Sequence, residues 1–224
     1  MRLLLPYPLM LLFLYLYFPS VLAQTDIILS STDFAFTHQD QHIPSAYTSP
    51  ELNFRNANKG IGPKIIRGNF LCASYNLSIG AGLFLLPSDI TNWERSAFLP
   101  AVGPNLRRAW TRQPVWDNDG FIINYIGHSY QGAWYYNSIR SQGAKVWEAS
   151  LFCLGQSLLW EYGYEAVKEQ PSRQDLFTTP LGGIFFGELT HRITRRMRRR
   201  GFNFGEKVFI TAFNPSYVLN NGYR

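Results

Sequence analysis

The chain has 224 residues, enough for one domain behind an export signal. Its net charge is +6, aromatic residues make up 16% and charged residues another 16%, where about 25% is usual for charged residues in soluble domains. That balance argues against a charge-rich, heavily solvated chain and for one that meets lipid or buries most of its surface.

Met1-Arg2 gives a small positive start, Leu3 to Phe18 is apolar, and Val21-Leu22-Ala23 supplies a cleavage site. This predicts a secretory signal peptide over 1–23, the alternative being an uncleaved N-terminal anchor. No cysteine follows the small residues, so a lipoprotein signal is not expected. Residues 24–59 are polar and without period, which predicts an extended or disordered arm. His38, Gln41 and His42 within it lack a further ligand at zinc-like spacing.

Gly60-Ile61-Gly62-Pro63 marks a turn, and Phe70 to Leu86 is mostly apolar. A helix is favoured there over a pair of strands, at the lower edge of bilayer-spanning length. Asn76-Leu77-Ser78 matches a glycosylation acceptor, which matters only in a eukaryotic secretory pathway. Pro87-Ser88-Asp89 starts a short helix or turn to Trp93. Pro100, Pro104 and Pro114 predict a loop from Phe98, with Arg107, Arg108 and Arg112 on a basic face. The cysteines, Cys72 and Cys153, sit in apolar surroundings and could pair or stay as buried thiols.

Asp117-Asn118-Asp119-Gly120 starts a helix running to about Ser141. Asn124, His128, Gly132 and Tyr135 share one of its faces, and Gly132 admits another backbone closely. A second helix covers Lys145 to about Gln170, with Ser150, Ser157, Glu161, Tyr164 and Glu165 as a polar stripe. Pro171 closes it. Ser172 is placed to cap, with Asp175 reaching back. Thr179 as N-cap and Pro180 at the first turn predict a third helix to about Arg200, with Gly183-x-x-x-Gly187 as a close-packing face. Six arginines follow within Arg192 to Arg200, a basic end suited to lipid phosphates rather than nucleic acid in an exported chain. Gly201 breaks the helix. Lys207 to Phe213 alternates like a strand, and Asn214-Pro215 and Asn221-Gly222 read as turns.

These helices bring forward His128, Glu161, Glu165 and Asp175 as candidate catalytic groups, and Asn124, Ser172, Glu188 and Arg192 as candidate binding groups. An imidazole beside a carboxylate gains orientation and basicity. Glu161 would orient His128, with Glu165 or Asp175 as second acid. Glu188 and Arg192 stand four apart in the order of a surface ion pair, and Asp175 could be only a cap. Glu188-Leu-Thr-His191 has the spacing of di-iron bundles, but the second motif is missing, so neither metal nor cofactor is expected. There is no Gly-x-Ser-x-Gly elbow.

The order and spacing of Pro114, Asp117, Asp119, Asn124-Tyr125-Ile126-Gly127-His128, Gly132, Tyr136, Arg140, Gly143, Trp160-Glu161, Glu165, Pro171-Ser172, Asp175-Leu176, Thr179-Pro180, Gly182-Gly183 and Gly187-Glu188 resemble the bacterial domain of unknown function 3943 family, over roughly Leu83 to Arg200. The resemblance implies an exported, envelope-associated protein of the outer membrane or periplasm, and no activity. The His, Glu and Ser-x-x-Asp pattern is also similar, more faintly, to VanZ-like membrane proteins, which implies a lipid-facing helical site and no substrate.

The fold expected is mainly α: three to four packed helices over 60–200 in a membrane-associated or envelope helical domain, then a short β or irregular tail over 201–224. Two functions are expected in competition. One is an envelope protein that binds membrane lipid or a protein partner, but no nucleic acid. The other is a hydrolase or transferase acting on a lipid or lipid-linked substrate through His128 and Glu161.

Overall fold

The computed structural model describes residues 54–87, 95–116 and 119–223, all within the second of two units into which the chain divides, Met1–Leu52 and Asn53–Arg224. The signal-peptide stretch, the arm with His38, Gln41 and His42, the segment 88–94 and Asp117-Asn118 lie outside the described residues. The described residues form seven α-helices and no strand. They are α1 Ile61–Leu85, α2 Arg95–Thr111, α3 His128–Arg140, α4 Val146–Leu159, α5 Asp175–Arg198, α6 Phe204–Phe213 and α7 Pro215–Asn221. A π-turn, Ile122–Gly127, leads into α3. A second, Trp160–Tyr164, and a 3-10 turn, Glu165–Val167, follow α4.

The α3–α5 crossing organises the rest, and glycines permit it. A methyl group added to Gly132 would strike the Thr179 carbonyl, one on Gly183 would come 2.5 Å from the Gly132 Cα, and one on Gly187 would come 2.6 Å from the Tyr136 ring. With no side chain between them the two backbones touch, and dispersion contacts accumulate along the crossing. Around it Cys72, Tyr135, Tyr136, Ile139, Ala149, Phe152 and Cys153 form the apolar core. Both cysteines are free thiols in that core, where burial pushes the Cys72 thiol up to about 12.

α1 is longer than the apolar run suggests. It begins at Ile61 and carries Lys64, whose ammonium donates to the Ala57 and Gly143 carbonyls, and Arg67, which donates to Asn220 and Leu219. Among the described residues no helix is long and apolar enough to cross a membrane. Asn76, the residue of the glycosylation pattern, is 1% exposed and accepts a hydrogen bond from the Tyr135 hydroxyl at 2.7 Å, so it is a core residue.

Three expectations are corrected. Phe98 to Thr111 is not a loop: α2 runs through Pro100 and Pro104. These prolines are spaced four apart on an exposed face, while Ala109 is buried and Asn105 donates to the Val167 and Lys168 carbonyls. Anchorage outweighs the two missing backbone donors. α5 begins at Asp175, because the Ser172 hydroxyl accepts from the Asp175 N–H at 3.2 Å. Pro180 therefore lies inside the helix, and Thr179 is an interior residue rather than a cap.

The tail is the third. Lys207 to Phe213 belongs to helix α6, not to a strand, because a reciprocal capping box starts it. The Asn203 side chain accepts from the Glu206 N–H at 2.8 Å, and the Glu206 carboxylate accepts from the Asn203 N–H at 3.1 Å. Asn214-Pro215 starts α7, with Asn214 accepting from the Tyr217 N–H at 3.2 Å. Gly201 does end α5, at φ 79°, which a residue with a Cβ rarely adopts.

Candidate functional site

Three local devices bring polar groups together where α3 meets α5. The Trp160–Tyr164 π-turn carries Glu161, and the Ile122–Gly127 π-turn ends where His128 begins. Each π-turn holds one residue more than an α-turn, which shifts every later side chain around the axis, and such turns are frequent at functional sites. The third device is the approach to α5. Val115 donates to the Pro171 carbonyl at 3.0 Å, and Arg173 donates to the Val115 carbonyl at 2.7 Å, a short parallel bridge that fixes Ser172.

His128, Glu161 and Asp175 converge here, each offering a donor atom within 4.8 Å of the others. Their exposures are 6%, 1% and 3%. The His128 ring has two distinct sides. Nδ1 lies 3.1 Å from the Thr179 hydroxyl, and Nε2 faces Asp175 Oδ2 at 3.7 Å, beyond ordinary hydrogen-bond length. Glu161 is held by the Ser172 N–H, which donates to Oε2 at 2.9 Å. Asp175 Oδ1 accepts from the Thr178 hydroxyl at 3.2 Å. Each of the three side chains is therefore aimed by a neighbour on the protein. Chemically, a ring nitrogen and two carboxylates in nearly dry surroundings can pass a proton or bind a cation.

Glu165 stands beside this trio. Burial first, then the charges of Glu169 and Asp175, push its carboxyl up to about 8, while the Trp160 side chain opposes part of that rise. Asn124, also buried, donates to the Asp119 carbonyl at 3.3 Å and holds the loop ahead of His128. Ser172 serves the centre through its N–H and its hydroxyl.

Glu188 and Arg192 belong elsewhere. Thirteen residues along α5 from Asp175, Glu188 is about 20 Å away. It accepts from the Tyr136 hydroxyl at 2.7 Å, from Arg140 Nε at 2.9 Å and from Arg192 Nε at 2.9 Å. Burial alone would raise its carboxyl, but the hydrogen bonds from Arg140, Arg192 and Tyr136 prevail and hold it at about 2. His191, one turn on, is fully buried, and neither ring nitrogen has a hydrogen-bond partner among the described residues. Burial, then the positive charge of Arg140, press its pKa down to about 3.

Sequence reasoning passed over Thr179 as a site residue. The signal was its spacing, since a residue four after Asp175 on a helix starting at 175 must share Asp175's face.

No curated protein and no solved structure matches the chain. A family match covers residues 113–216, so it begins after α2 rather than near Leu83 and continues past Arg200 through α6. Every residue of the centre lies inside it, and this segment matches the family described as Domain of unknown function (DUF3943).

Proposed function

We propose that this is a surface-bound domain of the bacterial envelope, which seats the outer face of α5 in the interface of an anionic membrane. The observation that carries the reading is a single line of side chains on α5. Phe177, Leu181, Phe185 and Leu189 are exposed by 66%, 64%, 66% and 44%. Their spacing of four keeps them on one face, opposite the buried Asp175, Thr179, Gly183 and Gly187. The same line continues into Arg192, Arg196 and Arg199, all exposed.

A helix that is apolar for three turns and cationic for the last two matches the layering of a lipid interface. Each Phe or Leu leaving water contributes roughly 1.5–3 kcal/mol, and each arginine near an anionic surface about 1 kcal/mol. Arginine stems also lie along acyl chains while their heads reach phosphate. Exposed apolar residues elsewhere, Phe121 just before the first π-turn, Ile122 and Ile126 on it, and Ile66, Phe70 and Leu77 along α1, would add contact area. Isolated apolar residues are ordinary on a surface, but a continuous line is not.

Co-sedimentation of the full chain with vesicles tests the reading. Binding should be stronger to phosphatidylglycerol-containing vesicles than to phosphatidylcholine alone, and should weaken as salt rises. Joint replacement Phe177→Ser, Leu181→Ser and Phe185→Ser, all at exposed positions, should abolish it without changing the melting temperature. Unchanged sedimentation of that variant would assign the stripe to a protein partner or to nothing.

A further inference from the structure

We propose that His128, Glu161 and Asp175 form a binding site for a divalent transition-metal ion, with His128 Nε2 and one oxygen of each carboxylate as ligands. Three separate elements supply them: α3, the π-turn after α4, and the first turn of α5. The donor set, one imidazole nitrogen and two carboxylate oxygens, suits ions of intermediate hardness such as Zn2+ or Mn2+. It does not suit ions that need thiolate.

Distance favours this use. Ligands held about 2.1 Å from one ion stand roughly 3.0 to 3.4 Å from each other. Nε2 and Asp175 Oδ2 are already 3.7 Å apart, and the whole set lies within 4.8 Å, so the widest separation has to close by no more than about 1.4–1.8 Å. Orientation favours it too. Ligating histidines characteristically engage their other ring nitrogen with a fixed oxygen, and Thr179 provides one at Nδ1. Glu161 is steered in the same way by the Ser172 N–H.

Charge agrees with this use. Two carboxylates and one imidazole, all 6% exposed or less, occupy the same space. Acidic groups brought together in dry surroundings are costly to ionise, and a cation bound there would offset that cost. Three protein ligands leave at least one coordination position open, the arrangement of sites that act on something rather than of sites that only brace a fold. This inference does not depend on the membrane reading, and vesicle binding of Asp175→Asn should equal that of the parent chain, so the two can fail separately.

The test is calorimetric titration of chelator-treated full-length chain with Zn2+, repeated with Mn2+. One ion per chain should bind and raise the melting temperature. Asp175→Asn and Glu161→Gln, which keep shape and hydrogen bonding, should each weaken binding about 100-fold or more, and Thr179→Val about 10-fold. The pair His38→Asn and His42→Asn should leave binding unchanged. Should the carboxylate variants fail to fold, Mn2+ on the parent chain answers directly, because it should broaden the imidazole signals of His128 far more than those of His191. Loss of binding in the His38, His42 variant, equal affinity in Asp175→Asn, or broadening confined to other histidines would overturn the site.

Discussion

One helix, α5, carries two polar clusters, one buried and one partly buried, and they are built on opposite rules. Near its C-terminal half Glu188 is matched: two arginines and a tyrosine donate to it, and its carboxyl is held at about 2. Near its start Asp175 shares a space with Glu161 and a single imidazole, while Glu165 close by is pushed up to about 8. A matched ion pair is architecture, because removing either member leaves the other stranded. A gathering of buried acidic groups is not the cheapest way to hold two helices together, and groups with perturbed protonation cluster at functional sites. The comparison teaches where to look on this domain for chemistry and where for stability.

The contrast can be broken outright at the glycines. Gly183→Leu should abolish the cooperative fold, costing about 4 kcal/mol or more, because the added side chain has only the Gly132 backbone to push against. Thermal unfolding followed by circular dichroism would read this, and a cooperative melt within a few degrees of the parent would contradict the crossing described.

The next effect separates the clusters. Glu188→Ala should cost about 2–4 kcal/mol, since Arg140 is left partly buried without its partner. The pH dependence has a definite sign. A carboxyl at about 2 in the fold and 4.5 in the open chain contributes stability that is fully present above 4.5 and disappears as pH falls toward 2. Denaturant titrations at pH 7 and pH 3 should therefore show a smaller penalty for Glu188→Ala in acid.

Glu165 predicts the reverse. Its carboxyl stays protonated in the fold up to about 8 while the open chain ionises near 4.5, so stability falls as pH rises between those values and is level above them. Glu165→Gln should remove that slope and stabilise the chain by about 2 kcal/mol at pH 8, with little effect at pH 4. Parallel unfolding curves for both proteins across the range would rule this out.

The smallest effect sharpens the matched side. His191→Leu should change stability at pH 7 by no more than about 1 kcal/mol, because the ring gives up no hydrogen bond. In acid the variant should be the more stable protein. The parent loses stability as pH falls from 6.5 toward about 3, where the open chain takes up a proton that the buried ring refuses. Melting temperatures at pH 7 and pH 5 give the difference.

Much of the framework was legible residue by residue. Gly132, Gly183 and Gly187 fall at spacings that make close-packing faces, and Ser172 followed three residues later by Asp175 announces a helix start. What local pattern could not supply was the pair of π-turns. One additional residue in a turn leaves no mark on composition, yet it decides where His128 and Glu161 point. Thr179-Pro180 looks like a cap and first turn because those residues usually serve so, and here the earlier Ser172 cap wins. Lys207 to Phe213 alternates well enough for a strand, but two hydrogen bonds between Asn203 and Glu206 commit the chain to a helix before the alternation can act. Arg95 to Thr111 was masked by two prolines whose cost is met through Asn105, a long-range partner no window of sequence contains.

The last helix has a bearing on how the molecule is made. Amides of Asn220 and Asn221 satisfy the Ser138 and Ser141 carbonyls at the end of α3, and Asn220 also receives Arg67 of α1. The clasp on the first and third helices thus comes from later in the chain than either helix it holds. A nascent chain halted at Phe213 should remain open to protease while one extended through Asn221 resists it, so closure of these helices waits for α7 to be made.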